Sequence, residues 1–228
     1  MEVSMRRKGI RSGILAAALA ALLSTSTVAT APVASASHHN PVIFVHGWLG
    51  ADWNWAVYEN WFYDAGWERL YAWQYDWSQS NVSTAYQLRD MVNRVRSETG
   101  ASKVDLVTHS MGGLSSRYYI RFLGGGTHVD DWVSIAGPNH GTNVAYACWT
   151  SSCYDMRYRS DFLTNLNNGD ETPGSVNYGT FRSWCDEIIN PDSSTSLAGA
   201  WNQTVGCWEH AAVLASWNTF EGVRDFIW

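Results

Sequence analysis

Blocks of apolar and polar residues along the chain predict strands that alternate with helices. Three short, mainly apolar segments predict strands, and they are Pro41–Val45, Lys103–Thr108 and Val129–Ala136. The first is apolar throughout, which is typical of a parallel strand buried on both faces. A helix with Thr84 and Gln87 as a capping box is predicted before Gly100, and a second over Met111–Leu123. The pattern therefore predicts an α/β fold, a mainly parallel sheet with helices on both faces.

The later part of the chain continues this alternation. A short helix is predicted over Asp161–Asn168, a late strand over Thr180–Cys185, and a terminal helix that ends at Trp228. The sequence has no long amphipathic insertion that must form a lid, and Asn139–Tyr178 is the only stretch in which a lid could lie. We therefore expect a compact version of the fold.

The first 36 residues have the pattern of a secretory signal peptide. A basic stretch leads into the apolar run Ile14–Leu23, and the segment ends with the small residues Ala34-Ser35-Ala36. The run is shorter than the ~18 residues that a bilayer span requires. We expect cleavage after Ala36, by the general secretory route rather than the twin-arginine route that Arg6-Arg7 hints at. Residues 37–228 would then form one extracellular catalytic domain.

Charge and length narrow the function classes. The whole chain has 15 basic and 21 acidic residues, and removal of residues 1–36 leaves 11 and 20, a net charge of about −9. An acidic domain is a poor ligand for nucleic acid, so we expect no nucleic-acid partner. The remaining 192 residues hold no Pro-rich linker, long charge run or internal repeat, which favours a single domain and a monomer.

All four cysteines lie in the second half of the chain, at Cys148, Cys153, Cys185 and Cys207. In a secreted protein they predict two disulfides. We favour Cys148 with Cys153 and Cys185 with Cys207, because neighbouring cysteines close their loops at the least entropic cost. A zinc site is the alternative, but Cys-x-x-Cys spacing is missing and the seven histidines are scattered, so we expect no metal.

The segment Thr108-His109-Ser110-Met111-Gly112 carries the main chemical signal. A small residue two positions before a serine and a glycine two positions after it let a strand turn abruptly into a helix, which exposes the serine. The helix N-terminus favours negative charge developing on an attacked carbonyl. Such a pattern often arises by chance, but here a predicted strand precedes it and a predicted helix follows it. We therefore interpret Ser110 as the nucleophile of an α/β-hydrolase fold.

A second motif, His46-Gly47-Trp48, follows the first predicted strand. In α/β hydrolases this position supplies half of an oxyanion hole through a backbone N–H group. We predict that Trp48 and Met111 donate the two N–H groups, and that Gly47 allows close approach of the chain. Alone, the motif would indicate only an ordinary strand-to-helix turn. Its pairing with the serine motif favours the oxyanion hole.

The catalytic base is sought after the serine, because chain order in this fold is serine, acid, histidine. The candidates are His128, His140 and His210. His210 fits best, since it lies where a last strand gives way to a loop before the terminal helix. His128 precedes a strand and His140 lies in a turn too soon after the serine, so both are interpreted as surface histidines.

The acid must lie between Ser110 and His210, and the candidates are Asp130, Asp131, Asp155, Asp161, Asp170, Asp186 and Asp192. We favour Asp186, because it follows the predicted late strand and acids at the carboxyl ends of such strands face the cleft. The predicted disulfide would also tie its neighbour Cys185 to a position three residues before His210. Asp192 is the alternative, although ordinary turn chemistry explains it well.

Together these segments resemble small secreted bacterial lipases. The resemblance spans most of the chain after residue 36 and rests on Val45–Trp48, Thr108–Gly113, Gly137–Thr142, Cys185–Ile189 and Gly206–His210. It implies a triad of Ser110, Asp186 and His210, and an oxyanion hole at the residues after the His-Gly pair and after the serine. Thr108 replaces the first glycine of the wider hydrolase pattern and should crowd the turn mildly. Trp48 is bulkier than the usual aliphatic residue and should narrow the acyl pocket toward shorter chains.

The chain holds 14 tryptophans, many of them before residue 80. Most are expected in the core, where each buries roughly 150–250 Å². Trp48, Trp53 and Trp77 lie nearest the predicted active-site loops and are the candidates for an apolar rim that receives lipid.

These features predict a secreted serine ester hydrolase, a triacylglycerol lipase or carboxylesterase, that works through an acyl-enzyme without a cofactor. The expected substrate is an ester or lipid, with transient contact with a lipid surface. The alternatives are a polyester depolymerase, amidase or acyltransferase with the same triad, or a non-catalytic lipid-binding protein with this fold.

Overall fold

The structure is a computed structural model that describes residues 39–228. The predicted signal peptide and its cleavage site lie outside the described residues.

Within residues 39–228, six strands form one sheet in the order β2-β1-β3-β4-β5-β6. The strands are β1 Val42–Val45, β2 Leu70–Trp73, β3 Val104–His109, β4 Val129–Ile135, β5 Asn177–Arg182 and β6 Trp201–Thr204. Every neighbouring pair is parallel, so the carboxyl ends of all the strands meet at one edge of the sheet. Ligand sites of such sheets lie at this edge.

Five helices lie between consecutive strands, and these are α1 Ala56–Asp64, α2 Asn81–Thr99, α3 Gly112–Phe122, α4 Ser151–Met156 and α5 Asp161–Leu166. A last helix, α6 Trp217–Phe226, follows β6. Short 3₁₀ turns occupy Asp52–Trp55, Gly125–Thr127, Asn143–Ala147, Asp192–Thr195 and Ala212–Ala215. None of the described helices combines the length and the apolar character needed to cross a bilayer.

The predicted capping box of α2 is wrong. The observed cap is Ser80, four residues before the predicted one, and its hydroxyl accepts the backbone N–H of Ser83 at 3.2 Å. Thr84 lies within the first turn and its hydroxyl donates to the Ser80 carbonyl, while the Gln87 side chain pairs with Gln79.

Two strands differ from the sequence prediction. β5 begins and ends three residues earlier than expected, because the chain turns after Arg182 and the Ser183 hydroxyl accepts the N–H of Cys185 at 3.2 Å. The sequence pattern does not predict β2, since this strand is only four residues long and lies half-buried at the edge of the sheet.

The two faces of the sheet bury different side chains, because neighbouring residues of a strand point to opposite faces. In β1, Ile43 and Val45 pack with α2 and α3, whereas Val42 and Phe44 pack with α1 and α6. All four side chains are fully buried. Helices therefore cover both faces, as the continuous apolar run of β1 predicts.

The early tryptophans mostly contribute to these two cores. Trp55 and Trp67 are fully buried. Others are half-buried and pack against one of the cores, and these are Trp48, Trp61, Trp73 and Trp77. Trp53 is the exception, since 71% of its surface is exposed.

Candidate active site

The turn between β3 and α3 holds Ser110 in an unusual backbone conformation. Its φ is +54°, in the left-handed region that residues with a Cβ rarely adopt. The Ser110 N–H donates to the Ile135 carbonyl at 2.9 Å, and the Ser110 carbonyl accepts from the Gly113 N–H at 3.1 Å. These bonds fix the turn from both sides. Ser110 thus lies at the carboxyl edge of the sheet and at the start of α3, as its motif predicts.

Two glycines let the segments around Ser110 approach closely. A Cβ at Gly47 would lie 2.6 Å from the Ser110 Cβ, and a Cβ at Gly112 would lie 2.5 Å from the Val45 carbonyl oxygen. Both distances are far too short for carbon in a close-packed interior. Glycine is therefore required for the loop after β1 to pack against the serine and for α3 to begin against the end of β1.

Thr108 fits the turn without crowding it. Its hydroxyl is fully buried and donates to the Val133 carbonyl at 2.7 Å. A Cβ at Gly113 would lie 3.4 Å from that hydroxyl, which is an ordinary contact distance. The threonine side chain is therefore accommodated by its hydrogen bond to β4 and leaves room beside α3.

A chain of hydrogen bonds joins the three predicted triad side chains. His210 Nε2 lies 2.9 Å from Ser110 Oγ, and His210 Nδ1 lies 2.9 and 3.0 Å from the two carboxylate oxygens of Asp186. When the imidazole carries its proton on Nδ1, this N–H donates to Asp186, and Nε2 accepts from the serine hydroxyl. The structure therefore brings together three residues that lie after β3, β5 and β6.

The Asp186 carboxylate is buried and held by its own loop. Only 2% of the side chain is exposed, and the N–H groups of Ile188 and Ile189 donate to Oδ1 at 2.9 and 2.8 Å. Burial raises the pKa of this carboxyl group, but the hydrogen bond and charge of His210 and the two backbone N–H groups outweigh burial. The net result is a lowered pKa, so Asp186 stays ionised and accepts from the imidazole.

The loop that carries His210 is fastened to the loop of the acid. The predicted Cys185–Cys207 disulfide joins them, with the two Cα atoms 4.8 Å apart. The buried Ser183 hydroxyl accepts the N–H of Trp208 at 2.7 Å and donates to the Trp208 carbonyl at 2.6 Å. Because His210 belongs to neither a helix nor a strand, such contacts decide where its ring lies.

The second predicted disulfide, Cys148–Cys153, also forms, with the Cα atoms 5.8 Å apart. Residues 39–228 contain no free cysteine, so the structure rules out the zinc–thiolate alternative. The small loop that this disulfide closes presents Trp149, which is 75% exposed.

A group of carboxylates at the opposite, amino edge of the sheet is close enough to surround a cation, and it comprises Asp105, Asp130 and Asp131. Asn40 donates to Asp105 and Asp130 at 3.1 Å, and Lys103 pairs with Asp130 at 2.7 Å. Burial, and then the charge of Asp131, raise the pKa of Asp105 well above its usual value. Because Asn40 and Lys103 already donate to these carboxylates, we assign no metal to the group.

The rival residues have other partners. Asp192 forms an ion pair with Arg182 at 3.0 Å rather than approaching the imidazole of His210. His140 pairs with Glu171 at 2.7 Å, and His128 Nδ1 lies 3.5 Å from a tyrosine hydroxyl. The structure therefore does not bring these residues into the hydrogen-bonded chain.

The two predicted oxyanion-hole residues belong to the segments that meet at Ser110. Trp48 follows Gly47, which packs directly against the serine, and Met111 is the N-terminal cap of α3. The first N–H groups of a helix have no partner within it, so this end of α3 offers donors. The location fits an oxyanion hole, and the role of the two N–H groups stays a prediction.

An apolar cavity of about 270 Å³ opens beside Ser110. Its apolar wall includes Trp48, Leu49, Val144, Ala145, Met156, Ile188 and Ile189. Thr142 and Glu187 add polar groups, and the Thr142 hydroxyl donates to the Ile188 carbonyl, which links the cavity wall to the loop of the acid. The nucleophile therefore faces a space suited to an apolar group of limited size.

A second cavity, of about 450 Å³, shares four residues with the first, and these are Trp48, Leu49, His210 and Ala211. Trp53 and Leu49 stand at this cavity with 71% and 59% of their surface exposed. Trp77 is half-buried and contacts Trp48 edge to face, with ring centroids 6.0 Å apart. Of the predicted rim residues, Trp53 is therefore exposed, whereas Trp77 supports Trp48.

The short helix α5, in the stretch considered for a lid, is part of the core. Phe162, Leu163 and Leu166 are buried among the residues that pack beneath α3. The prediction of a helix at this place is confirmed, with its end two residues earlier than expected.

Sequence reasoning missed two partners of the His210 main chain. The His210 N–H donates to Glu187 Oε2 at 2.9 Å, and the His210 carbonyl lies 3.0 Å from His109 Nε2. Side-chain partners of a loop backbone leave no periodic pattern in a sequence. The one available signal is that each of the two residues is adjacent to a predicted triad residue.

Known proteins share this architecture. Residues 39–205 match the family described as lipase (class 2). The mature form of a Bacillus licheniformis lipase is 16% identical, with a TM-score of 0.72 over 83% of this chain and 92% of its own. A carboxylesterase structure from Nitrososphaera gargenis is 13% identical, with a TM-score of 0.57 over 83% of this chain and 90% of its own.

A larger protein contains the same fold as a part. Aspergillus fumigatus lipase B is 21% identical, with a TM-score of 0.68 over 77% of this chain, but the match covers 49% of that lipase. At such identities the solved structures establish the fold, an α/β-hydrolase sheet of parallel strands between helices.

Proposed function

The chain belongs to the lipase (class 2) family, and from this premise we propose that it cleaves carboxylic esters through an acyl-enzyme formed on Ser110. The observation that carries the proposal is the continuous chain of hydrogen bonds, each about 2.9 Å long, from Ser110 through His210 to Asp186. A carboxylic ester hydrolase needs a nucleophile, a base and a group that orients the base, and these side chains match those needs.

In the proposed mechanism, Ser110 Oγ attacks the ester carbonyl while its proton passes to His210 Nε2. The imidazolium then protonates the leaving alkoxide, the bond between the carbonyl carbon and the alcohol oxygen breaks, and the acyl group stays on Ser110. Water repeats the sequence and releases the acid. Asp186 holds Nδ1 throughout, and the N–H groups of Trp48 and Met111 stabilise the oxyanion.

A non-catalytic lipid-binding role is the second candidate, and the site argues against it. A binding protein has no need for a left-handed serine, because backbone strain of this kind costs on the order of 1–3 kcal/mol and persists mainly at functional sites. It also has no need for a nearly fully buried carboxylate aligned with a histidine. Both features favour catalysis.

The size of the cavity beside Ser110 supports a preference for short acyl chains. Ligand pockets commonly have volumes of about 300–1,000 Å³, and the value of about 270 Å³ lies just below that range. Trp48 and Met156 limit the space, in line with the narrowing expected from the bulk of Trp48. We therefore propose a carboxylesterase or lipase that favours short acyl groups.

The test combines a variant with a substrate series. Ser110→Ala should fold but lose turnover of p-nitrophenyl esters, because a methyl group cannot attack a carbonyl. For the unmodified enzyme, kcat/KM should peak at short acyl chains and fall as the chain outgrows the cavity. Activity of Ser110→Ala within tenfold of the parent would remove the serine from the mechanism, and a peak at the longest chain would refute the size argument.

Transient contact with a lipid surface is also part of the proposal. Exposed apolar groups adjoin the two cavities, with Trp53 and Leu49 at one and Trp149 on the disulfide-closed loop near the other. Trp53→Ser should reduce hydrolysis of an emulsified ester and spare a dissolved one. The control is Trp228→Ser, since Trp228 is 74% exposed but contacts Trp67 edge to face, just before the start of β2 and so away from the two cavities. Equal effects of the two variants would contradict the proposal.

We further propose that the protein is secreted as a monomer. The N-terminal sequence and the two disulfides support an oxidising location. N-terminal sequencing of the protein from culture medium should begin at Ser37, and its mass in solution should be that of one chain. Recovery of the protein only inside cells, or as a dimer, would contradict these statements.

A further inference from the structure

His210 is bound at all four of its polar groups by two pairs of adjacent residues. Its imidazole meets Ser110 and Asp186, its N–H donates to Glu187 Oε2 at 2.9 Å, and its carbonyl lies 3.0 Å from His109 Nε2. We propose that Glu187 and His109 are positioning residues that clamp the main chain of His210 and so keep its ring between nucleophile and acid. This inference rests on the proposed function.

The clamp supplies contacts to the His210 main chain that secondary structure does not provide. His210 lies between the end of β6 and the 3₁₀ turn Ala212–Ala215, so its own peptide groups take part in no strand ladder or helix. The disulfide holds the chain at Cys207, three residues away. Between these anchors, rotation of the peptide groups on either side of His210 would swing the ring. A displacement of about 1 Å can cost on the order of 100-fold in rate, so contacts at the residue itself matter.

His109 is suited to hold the carbonyl side. It is buried, and burial together with the charge of His210 lowers its pKa to about 3. The ring is therefore neutral at working pH and has one N–H group. Because a carbonyl can only accept, we assign that proton to Nε2, which makes His109 the donor. A neutral donor can hold the main chain without placing a second positive charge beside the imidazolium that forms during turnover.

Glu187 is suited to hold the N–H side. Its carboxylate accepts a charge-assisted hydrogen bond from the His210 N–H, and this kind of bond is among the stronger ones. Glu187 is exposed and follows Asp186 directly, so one short segment grips both the ring and the backbone of His210. The neighbouring Glu209 is also exposed but makes no side-chain hydrogen bond to His210 among the described residues, which makes it a matched control.

The first experiment varies the acceptor. Glu187→Ala should lower kcat for a dissolved short-chain ester by about tenfold or more, with KM within about twofold, because both chemical steps use His210. Glu187→Gln should restore most of the rate, since its side-chain oxygen still accepts. Glu209→Ala removes the same charge next to His210 and should match the parent.

The second experiment varies the donor. His109→Phe keeps a ring of similar size but leaves the His210 carbonyl without its donor, and kcat should again fall by about tenfold or more at nearly constant KM. His109→Gln places an N–H donor near the former Nε2 and should recover part of the loss. If His109→Phe fails to fold, the kinetics of the Glu187 variants alone test the proposal, because Glu187 is exposed and its replacement should leave the fold intact.

The outcomes separate the clamp from the proposed function. An active Ser110→Ala would overturn the mechanism itself. An inactive Ser110→Ala together with parental kcat in Glu187→Ala and His109→Phe would overturn the clamp alone. Equal impairment of Glu187→Gln and Glu187→Ala, or of Glu209→Ala and Glu187→Ala, would also overturn it, because charge rather than the hydrogen bond would then be responsible.

Discussion

Replacement of Asp186 by asparagine should abolish most turnover by inverting the tautomer of His210. In the parent, the N–H groups of Ile188 and Ile189 both donate to Asp186 Oδ1, while Oδ2 lies 2.9 Å from His210 Nδ1. An asparagine will keep its oxygen at the two backbone donors and turn its NH₂ group toward Nδ1. Nδ1 must then accept, so the imidazole carries its proton on Nε2 and cannot take one from Ser110.

The magnitude follows from the loss of the base. In a serine protease triad the equivalent exchange lowers kcat by about 10⁴, and we expect a loss of about 1,000- to 10,000-fold, equal to roughly 4–5.5 kcal/mol.

The fold should survive, because asparagine occupies the same volume and keeps both backbone hydrogen bonds. The pKa of Asp186 is lowered in the folded protein, so the carboxylate stabilises the protein above the usual carboxyl pKa, and this stabilisation is lost as pH falls through the lowered value. The variant should therefore melt earlier near neutral pH and similarly to the parent in acid.

The assay is steady-state hydrolysis of a short-chain p-nitrophenyl ester with circular dichroism as the check on folding. Asp192→Asn is the matched control, since Asp192 pairs with Arg182 at the surface and should change turnover by less than about threefold. Turnover of folded Asp186→Asn within tenfold of the parent would refute the reasoning. The reverse ranking of the two variants would transfer the role to Asp192.

Three further perturbations test the surroundings of the site. Gly47→Ala should lower kcat strongly, because the new Cβ would lie 2.6 Å from the Cβ of Ser110. Gly126→Ala is the control and should keep activity, because the nearest atom to its Cβ would be 3.7 Å away. Equal kinetics of the two variants would contradict the packing argument. Replacement of both Cys185 and Cys207 should reduce turnover while the far-UV circular dichroism spectrum stays that of the parent. Unchanged turnover would show that the disulfide has no positioning role. The pKa of Asp105 is raised by burial, so the stability that this one group contributes is fully present below the usual carboxyl pKa and is lost as pH rises through the raised value. Asp105→Asn should therefore raise Tm near neutral pH, by about 2–4 °C per kcal/mol, and not near about pH 3; equal shifts at both values would refute this.

The sheet could be predicted where strands are buried on both faces. The apolar run of β1 and the strand before Ser110 are both fully buried, and burial leaves a strong signal in composition. β2 could not be predicted, since an edge strand of four half-buried residues is specified by its pairing with β1 rather than by its own sequence. The sequence pattern misplaces the start of α2, because Ser80 and Thr84 both have the chemistry of a cap and only the local backbone decides between them.

The site likewise contains residues that the sequence predicts and contacts that it does not. Ser110 is marked by the spacing of small residues that a left-handed turn requires, and that requirement is local. Asp186 and His210 were reachable through chain order and the neighbouring cysteines. The bonds from Glu187 and His109 to the His210 backbone depend on how three loops meet at the edge of the sheet. No spacing in the sequence encodes that meeting.

The most direct test of the account is covalent labelling of the intact enzyme with an organophosphonate ester, followed by mass mapping of its peptides. The account predicts one adduct per chain on the peptide that contains Ser110, loss of esterase activity in proportion to labelling, and no adduct in Ser110→Ala. An adduct on another residue that inactivates the enzyme, or full activity after stoichiometric labelling of Ser110, would contradict the central claim.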